Sequence, residues 1–157
     1  MNNKIEWKPL IISVAISLGA GVLGSLLAPN MGGTYTMMER PPLAPPSWLF
    51  PVVWTILYVL MGIAAYRIWL SPAGEERRTA LTYYVVQLVV NILWPLIFFE
   101  WQAYWLAFLW LVLLWYLVFI TWQKFKEIDR RAGVLLVPYL VWLTFAGYLN
   151  LAIAVMQ

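Results

Sequence analysis

Five stretches of this chain carry no charged side chain and are each long enough to cross a lipid bilayer: Pro9 to Met38, Leu43 to Tyr66, Thr79 to Phe99, Trp101 to Gln123 and Ala132 to Gln157. A crossing helix needs about 20 mostly apolar residues, rising about 1.5 Å each, to span about 30 Å of hydrocarbon. Irregular backbone is excluded there, because an unpaired N–H or C=O has no water to bond. The sequence therefore predicts an all-α integral membrane bundle of five transmembrane helices, a single domain over 1–157. The spans are expected near 10–28, 48–66, 79–99, 103–122 and 133–156, with a proline-rich lid loop at 29–47.

The cations give the bundle a direction. With five crossings, Lys4, Lys8, Arg67, Arg77, Arg78, Lys124, Lys126, Arg130 and Arg131 share one face of the membrane, and Arg40 alone falls on the other. Lys and Arg resist translocation, so the chain is expected to be multi-pass with its N-terminus cytoplasmic and its C-terminus outside. Because these cations already have a topological role, no nucleic-acid partner is expected. Cys and His are both absent, which excludes thiol catalysis, disulfides, zinc sites and histidine-ligated haem iron. No metal site and no required cofactor are expected.

The run from Leu10 to Leu27 follows Lys4 and Lys8. It is longer than a usual signal-peptide core and reads as a retained helix. Its small-residue spacings Ala15/Gly19, Ala20/Gly24 and Gly21/Ser25 permit close backbone approach, either within the bundle or at a dimer seam. In the following segment, Asn30-Met31-Gly32-Gly33 breaks the helix, and Pro41, Pro42, Pro45, Pro46 and Pro51 stiffen the chain. That segment is either a preformed lid or a rigid connector.

Inside the spans, polar and aromatic residues recur on single helical stripes. Trp54, Tyr58 and Met61 lie at i, i+4 and i+7; Gln87, Asn91 and Trp94 repeat that spacing, with Pro95 expected to kink the helix; Tyr139, Trp142, Ala146 and Asn150 form a third stripe. A carboxamide facing lipid is unsatisfied at a cost of several kcal/mol, so Gln87, Asn91 and Asn150 must point into the bundle. There they make either structural interhelical hydrogen bonds or ligand contacts. Counting about 1.5 Å per residue from the outer end puts Trp54, Asn91, Trp94 and Asn150 at depths of about 8 to 12 Å and Ala146 at about 15 Å. They form a band beneath the proline segment.

Trp7, Trp48, Trp69, Trp101, Trp105 and Trp122 sit near span ends, where an indole buries its ring and hydrates its N–H, and they read as interfacial belts. Trp54, Trp94, Trp110, Trp115 and Trp142 lie deeper and need either an N–H partner or a cavity to line. An aromatic pocket with a few polar groups under a stiff cover suits a flat hydrophobic molecule.

The run Arg40-Pro41-Pro42-Leu43-Ala44-Pro45-Pro46-Ser47-Trp48-Leu49-Phe50-Pro51-Val52-Val53-Trp54-Thr55-Ile56-Leu57-Tyr58 resembles the signature of the translocator protein family, also called tryptophan-rich sensory proteins or peripheral-type benzodiazepine receptors. Asn91 to Phe99, and Val137 to Trp142 through Leu149-Asn150, are similar to two further blocks of that family. The resemblance implies a five-helix receptor, a homodimer in many members, that binds porphyrins and synthetic aromatic ligands in a pocket under the first loop. It places pocket residues at Tyr35, Trp54, Asn91, Trp94, Trp142 and Ala146. Together with the stripe residues Tyr58, Gln87 and Asn150, these are the candidate ligand-binding residues.

The resemblance also offers two alternatives, passage of a hydrophobic molecule across the membrane and light-dependent porphyrin breakdown involving Trp54 and Trp142. No nucleophile–base pair is evident, and neither repeated halves nor an intramembrane charge suggests coupled transport. Leu43 stands where the family usually has Trp, and Thr34-Tyr35-Thr36 departs from its usual Trp-Tyr-Asp type sequence. No basic residue follows Tyr148, so the cholesterol motif of animal members is missing.

Overall fold

The computed structural model describes residues 4–157. Its five long helices are α1 (Trp7–Leu27), α3 (Leu49–Trp69), α4 (Glu75–Pro95), α5 (Tyr104–Ile128) and α6 (Arg130–Met156), with a short α2 (Met31–Met37) between the first two. All five long helices have the length and apolarity to cross a membrane. Packing runs α1 to α3, α3 to α6, α6 to α5, α5 to α4 and α4 back to α1, which closes a ring around a central axis. Hydrocarbon-facing positions are apolar and exposed, as at Ile11, Ile16, Leu26, Leu109, Val112 and Val141. Water would not tolerate so much apolar surface; lipid solvates it.

Close approach of α1 to α3 depends on one small residue. A Cβ at Gly62 would lie 2.6 Å from Val14 Cα and 2.7 Å from Ser17 Oγ. The two backbones therefore nearly touch, and two hydroxyls bond across them: Ser13 Oγ donates to Gly62 O at 2.7 Å and Ser17 Oγ to Tyr58 O at 2.6 Å. Gly21 faces the Tyr58 ring, and Gly24 meets Ile92 and Pro95 of α4. Ala20 and Gly24 are buried, whereas Ala15 and Gly19 are exposed. Packing inside the bundle thus accounts for Ala20/Gly24 and for Gly21, and leaves Ala15, Gly19 and Ser25 exposed.

Two local features differ from the sequence reading. The break expected at Asn30 to Gly33 comes earlier, at Ala28, and Met31 opens α2 rather than coil. Pro95 does not end its helix in a sharp kink. Its missing N–H leaves the Asn91 carbonyl without its usual donor, and the chain widens into a π-helical turn, Leu96–Glu100, closed by Trp101 N donating to Leu96 O at 3.0 Å. This wide turn swings Phe98 and Phe99 into buried positions.

At the N-terminal end of the bundle, Arg67 Nε bonds Asp129 Oδ2 at 2.7 Å, while Asp129 Oδ1 accepts from Arg131 N and caps α6. One carboxylate therefore ties α3 to the tight α5–α6 corner. The core of this half is packed with Met61, Ala64, Ile68, Val118, Phe125 and Leu136. A Gly62→Val variant is expected to lose about 1 to 3 kcal/mol by overpacking, read as a lower unfolding temperature in detergent. Gly19→Ala, whose Cβ meets nothing within 4 Å, is expected to unfold no earlier than the parent.

Candidate ligand pocket

Beneath α2 and the proline segment, the other half of the ring encloses a cavity of about 410 Å³. This lies within the usual range for small-molecule sites. Its floor is a hydrogen-bonded layer joining three helices. Tyr58 Oη donates to Asn91 Oδ1 at 2.5 Å, Asn91 Nδ2 donates to Tyr139 Oη at 2.7 Å, and Tyr139 Oη donates to Gln87 Oε1 at 2.7 Å. Gln87 Nε2 lies 3.9 Å from Met61 Sδ, a weak acceptor. Trp54 packs its ring near both tyrosines, 5.6 Å from Tyr58 and 6.1 Å from Tyr139 between centroids.

A second polar tie closes the side wall. Trp94 Nε1 donates to Asn150 Oδ1 at 3.1 Å, and Asn150 Nδ2 donates to Tyr104 O at 2.9 Å, joining α4, α6 and α5. Trp94 stacks on Phe98 at 4.8 Å between centroids. Trp110 and Trp115, outside the cavity wall, have their own partners, the Val90 carbonyl at 2.7 Å and Thr144 Oγ1 at 3.0 Å. Trp142 lines the cavity, and its buried Nε1–H has no hydrogen-bond partner.

The cover is fixed from several directions. Asn30 donates through its backbone N to Glu100 Oε1 at 2.8 Å and through Nδ2 to Oε2 at 3.2 Å. Tyr148 Oη donates to Pro42 O at 2.7 Å, and Gln157 Nε2 donates to Glu39 O at 3.0 Å. Tyr35 is buried, donates to Pro45 O, meets the Phe50 ring edge-on at 5.0 Å, and carries the Arg40 guanidinium 5.1 Å above its ring. Burial pushes the Tyr35 phenol above its ordinary pKa, with Arg40 partly offsetting this, so the hydroxyl stays protonated and keeps its bond to Pro45. At Pro41 to Ala44 the chain turns with Pro42 then Leu43 at φ 72°, closed by Ala44 N donating to Pro41 O. This is the type II pattern, which favours Gly where Leu43 stands.

Of the nine candidate residues, Tyr35, Trp54, Tyr58, Asn91, Trp94, Trp142, Ala146 and Asn150 line the cavity. Gln87 does not, and its assignment as a ligand contact is corrected. It lies one turn below Asn91, on the far side of Tyr139 Oη, and serves as that hydroxyl's acceptor. Unanticipated wall residues are Phe50, Phe98, Phe99, Leu111, Leu114, Leu149 and Ile153, with Gly21 and Gly24 leaving room on the α1 side. Phe98 enters through the π-helical turn; Leu111 and Leu114 bring in α5, whose apolar sequence carries no stripe to reveal them.

Fold and site together define a five-helix integral membrane protein with an aromatic, lidded cavity in one half of the bundle. The sequence model of the TspO/MBR family matches residues 13–156. The chain is 41% identical to protein CrtK of Rhodobacter capsulatus over 85% of this chain and 83% of that one. It is 35% identical to the tryptophan-rich protein TspO of Chlorobaculum tepidum, covering 92% of each, and 33% identical to the human translocator protein, covering 92% of this chain and 87% of that one. This chain belongs to the TspO/MBR family.

The polar floor yields a direct test. Asn91→Leu removes both the acceptor of Tyr58 and the donor to Tyr139, and is expected to cost about 1 to 2 kcal/mol. Thermal unfolding in detergent reads this, with Gln87→Leu giving a smaller loss because it deletes one short bond and one weak contact to sulfur.

Proposed function

We propose that this protein is a membrane receptor that captures a porphyrin or a similar flat hydrophobic ligand in the lidded cavity. The observation that carries the reading is the chemistry of the wall. All three carboxamides are already bonded within the bundle, so what the cavity offers is chiefly aromatic and aliphatic surface, with Trp54, Trp94 and Trp142 among its walls. Such a wall favours a large apolar ring system and disfavours strongly polar solutes, which would lose hydration while gaining few bonds. Names of relatives such as "tryptophan-rich sensory protein" accord with this.

Passage across the membrane is less well supported. Below the Tyr58–Asn91–Tyr139–Gln87 layer the bundle is filled by buried side chains such as Met61, Ile68 and Phe125, which favours capture and release from the same end. Light-dependent breakdown would draw on the same Trp54 and Trp142. Decay of porphyrin absorbance under illumination, compared with dark and anaerobic samples, separates that activity from simple binding. We further infer that the lid faces outward and the nine-cation end faces the cytoplasm.

Protoporphyrin titration with tryptophan quenching tests the site. Trp142→Ala is expected to weaken binding about tenfold or more, equivalent to about 1.4 kcal/mol. Trp142→Phe retains a smaller ring and is expected to show an intermediate loss, the reduced contact surface accounting for it. Ala146→Leu fills the cavity and is expected to weaken binding similarly while leaving the fold stable. Equal affinity across these variants contradicts the pocket. Orientation is checked in the naturally cysteine-free chain: Leu43→Cys, at an exposed lid position, is expected to react with an impermeant thiol reagent applied to intact cells, and Arg130→Cys only after lysis.

A further inference from the structure

A second concavity, of about 590 Å³, lies on the outside of the ring at the end opposite the lid, between the α3–α4 turn and the lipid-facing side of α4. Its wall changes chemistry in a fixed order along the helix. Val85 and Val86, exposed and facing lipid, lie deepest, then Leu81, then Arg77 and Arg78, and finally Glu75 at the mouth. Spacings of three and four residues hold Glu75, Arg78 and the deeper apolar positions on one face. The rise from Arg78 to Glu75 is about 4.5 Å and from Arg78 to Val85 about 10 Å.

Arg77 is set in place. Its Nη1 donates to Trp69 O at 3.0 Å and Ser71 O at 3.3 Å, and its guanidinium carbon sits 4.7 Å from the Trp69 ring centroid. Arg78 and Glu75 are exposed, and neither enters the one salt bridge found among the described residues, Arg67–Asp129.

We propose that this cleft seats one ethanolamine phospholipid of the adjoining leaflet. The order of groups in such a lipid, from the membrane outward, is acyl chain, phosphate, two-carbon link and primary ammonium. The wall presents a complement at each level: Val85 and Leu81 for the chain, the guanidinium groups of Arg77 and Arg78 for the phosphate, and the Glu75 carboxylate for the ammonium. Guanidinium groups match phosphate oxygens in two-point contacts. A purely anionic headgroup would leave Glu75 and the neighbouring Glu76 repelling it, and a choline headgroup has no N–H to donate to a carboxylate. The lipid would bind outside the bundle, separate from the cavity under the lid.

The test uses the full-length protein in detergent with equimolar ethanolamine, glycerol and choline phospholipids of identical acyl chains, read by native mass spectrometry. The parent protein is expected to retain one ethanolamine lipid per chain at least about fivefold over the other two. Arg78→Gln should abolish that preference, Glu75→Gln should shift retention toward the anionic glycerol lipid, and Arg130→Gln, an exposed cation at the same end on α6, should change nothing. Equal retention of the three lipids by the parent overturns the proposal, as does preference for the anionic lipid. So does an Arg78→Gln variant with unaltered selectivity, an equal loss in Arg130→Gln, or a change in subunit number in place of a change in bound lipid.

Discussion

In hydrocarbon a polar side chain left without a partner is costly, and the centre of the bundle is organised around that cost. Tyr58 of α3, Asn91 and Gln87 of α4, and Tyr139 of α6 satisfy one another in a single buried layer. Each is otherwise costly to bury. Linked, they fix the relative height of three helices and divide the ring into a filled half and a hollow half. Trp94 and Asn150 do the same between α4 and α6, and Asn150 extends the tie to the Tyr104 carbonyl of α5. The cavity floor and wall are therefore held by hydrogen bonds rather than by the packing a ligand would disturb.

What keeps the upper half open is geometric. Large rings line it and pack edge-on against one another, Phe50 with Trp142 at 6.0 Å and Tyr35 with Phe50 at 5.0 Å between centroids, so each is held by its neighbour at the rim of the space. The lid cannot sink to fill the space, since Glu100 holds Asn30 at one edge and Tyr148 holds Pro42 at the other. Rigid prolines reduce the entropy lost in ordering that cover, so the cavity is prepared before a guest arrives. Pre-organisation of this kind converts more of the contact energy into affinity.

Much of this was legible in the sequence because the membrane makes polarity decisive. An Asn or Gln within an uncharged span has only one direction to point, and helical depth then groups Trp54, Asn91, Trp94 and Asn150 into one band. The same rule does not reveal whether an inward amide meets a ligand or another side chain. Gln87 obeys it yet lies on the underside of the floor, away from the cavity, because Tyr139 of the α6 stripe stands between and donates to its carbonyl. The walls from α5 were invisible for the opposite reason: Leu111 and Leu114 are inward by packing alone, in a helix apolar on all sides. The π-helical turn after Pro95 was half legible, since a missing N–H announces a disturbance without saying whether the helix bends or widens.

The proposed binding site depends on Trp142 presenting its ring to the cavity as part of an aromatic wall whose amides are already satisfied. Nitrogen-15 indole spectra of the detergent-solubilised protein, with each resonance assigned by substitution, test this most directly. On adding protoporphyrin, the Trp142 indole signal is predicted to shift under the ring current of a macrocycle seated against it, while Trp110 and Trp115, outside the cavity wall and bonded to Val90 and Thr144, stay in place. A Trp142 signal unmoved at saturating ligand would contradict the account.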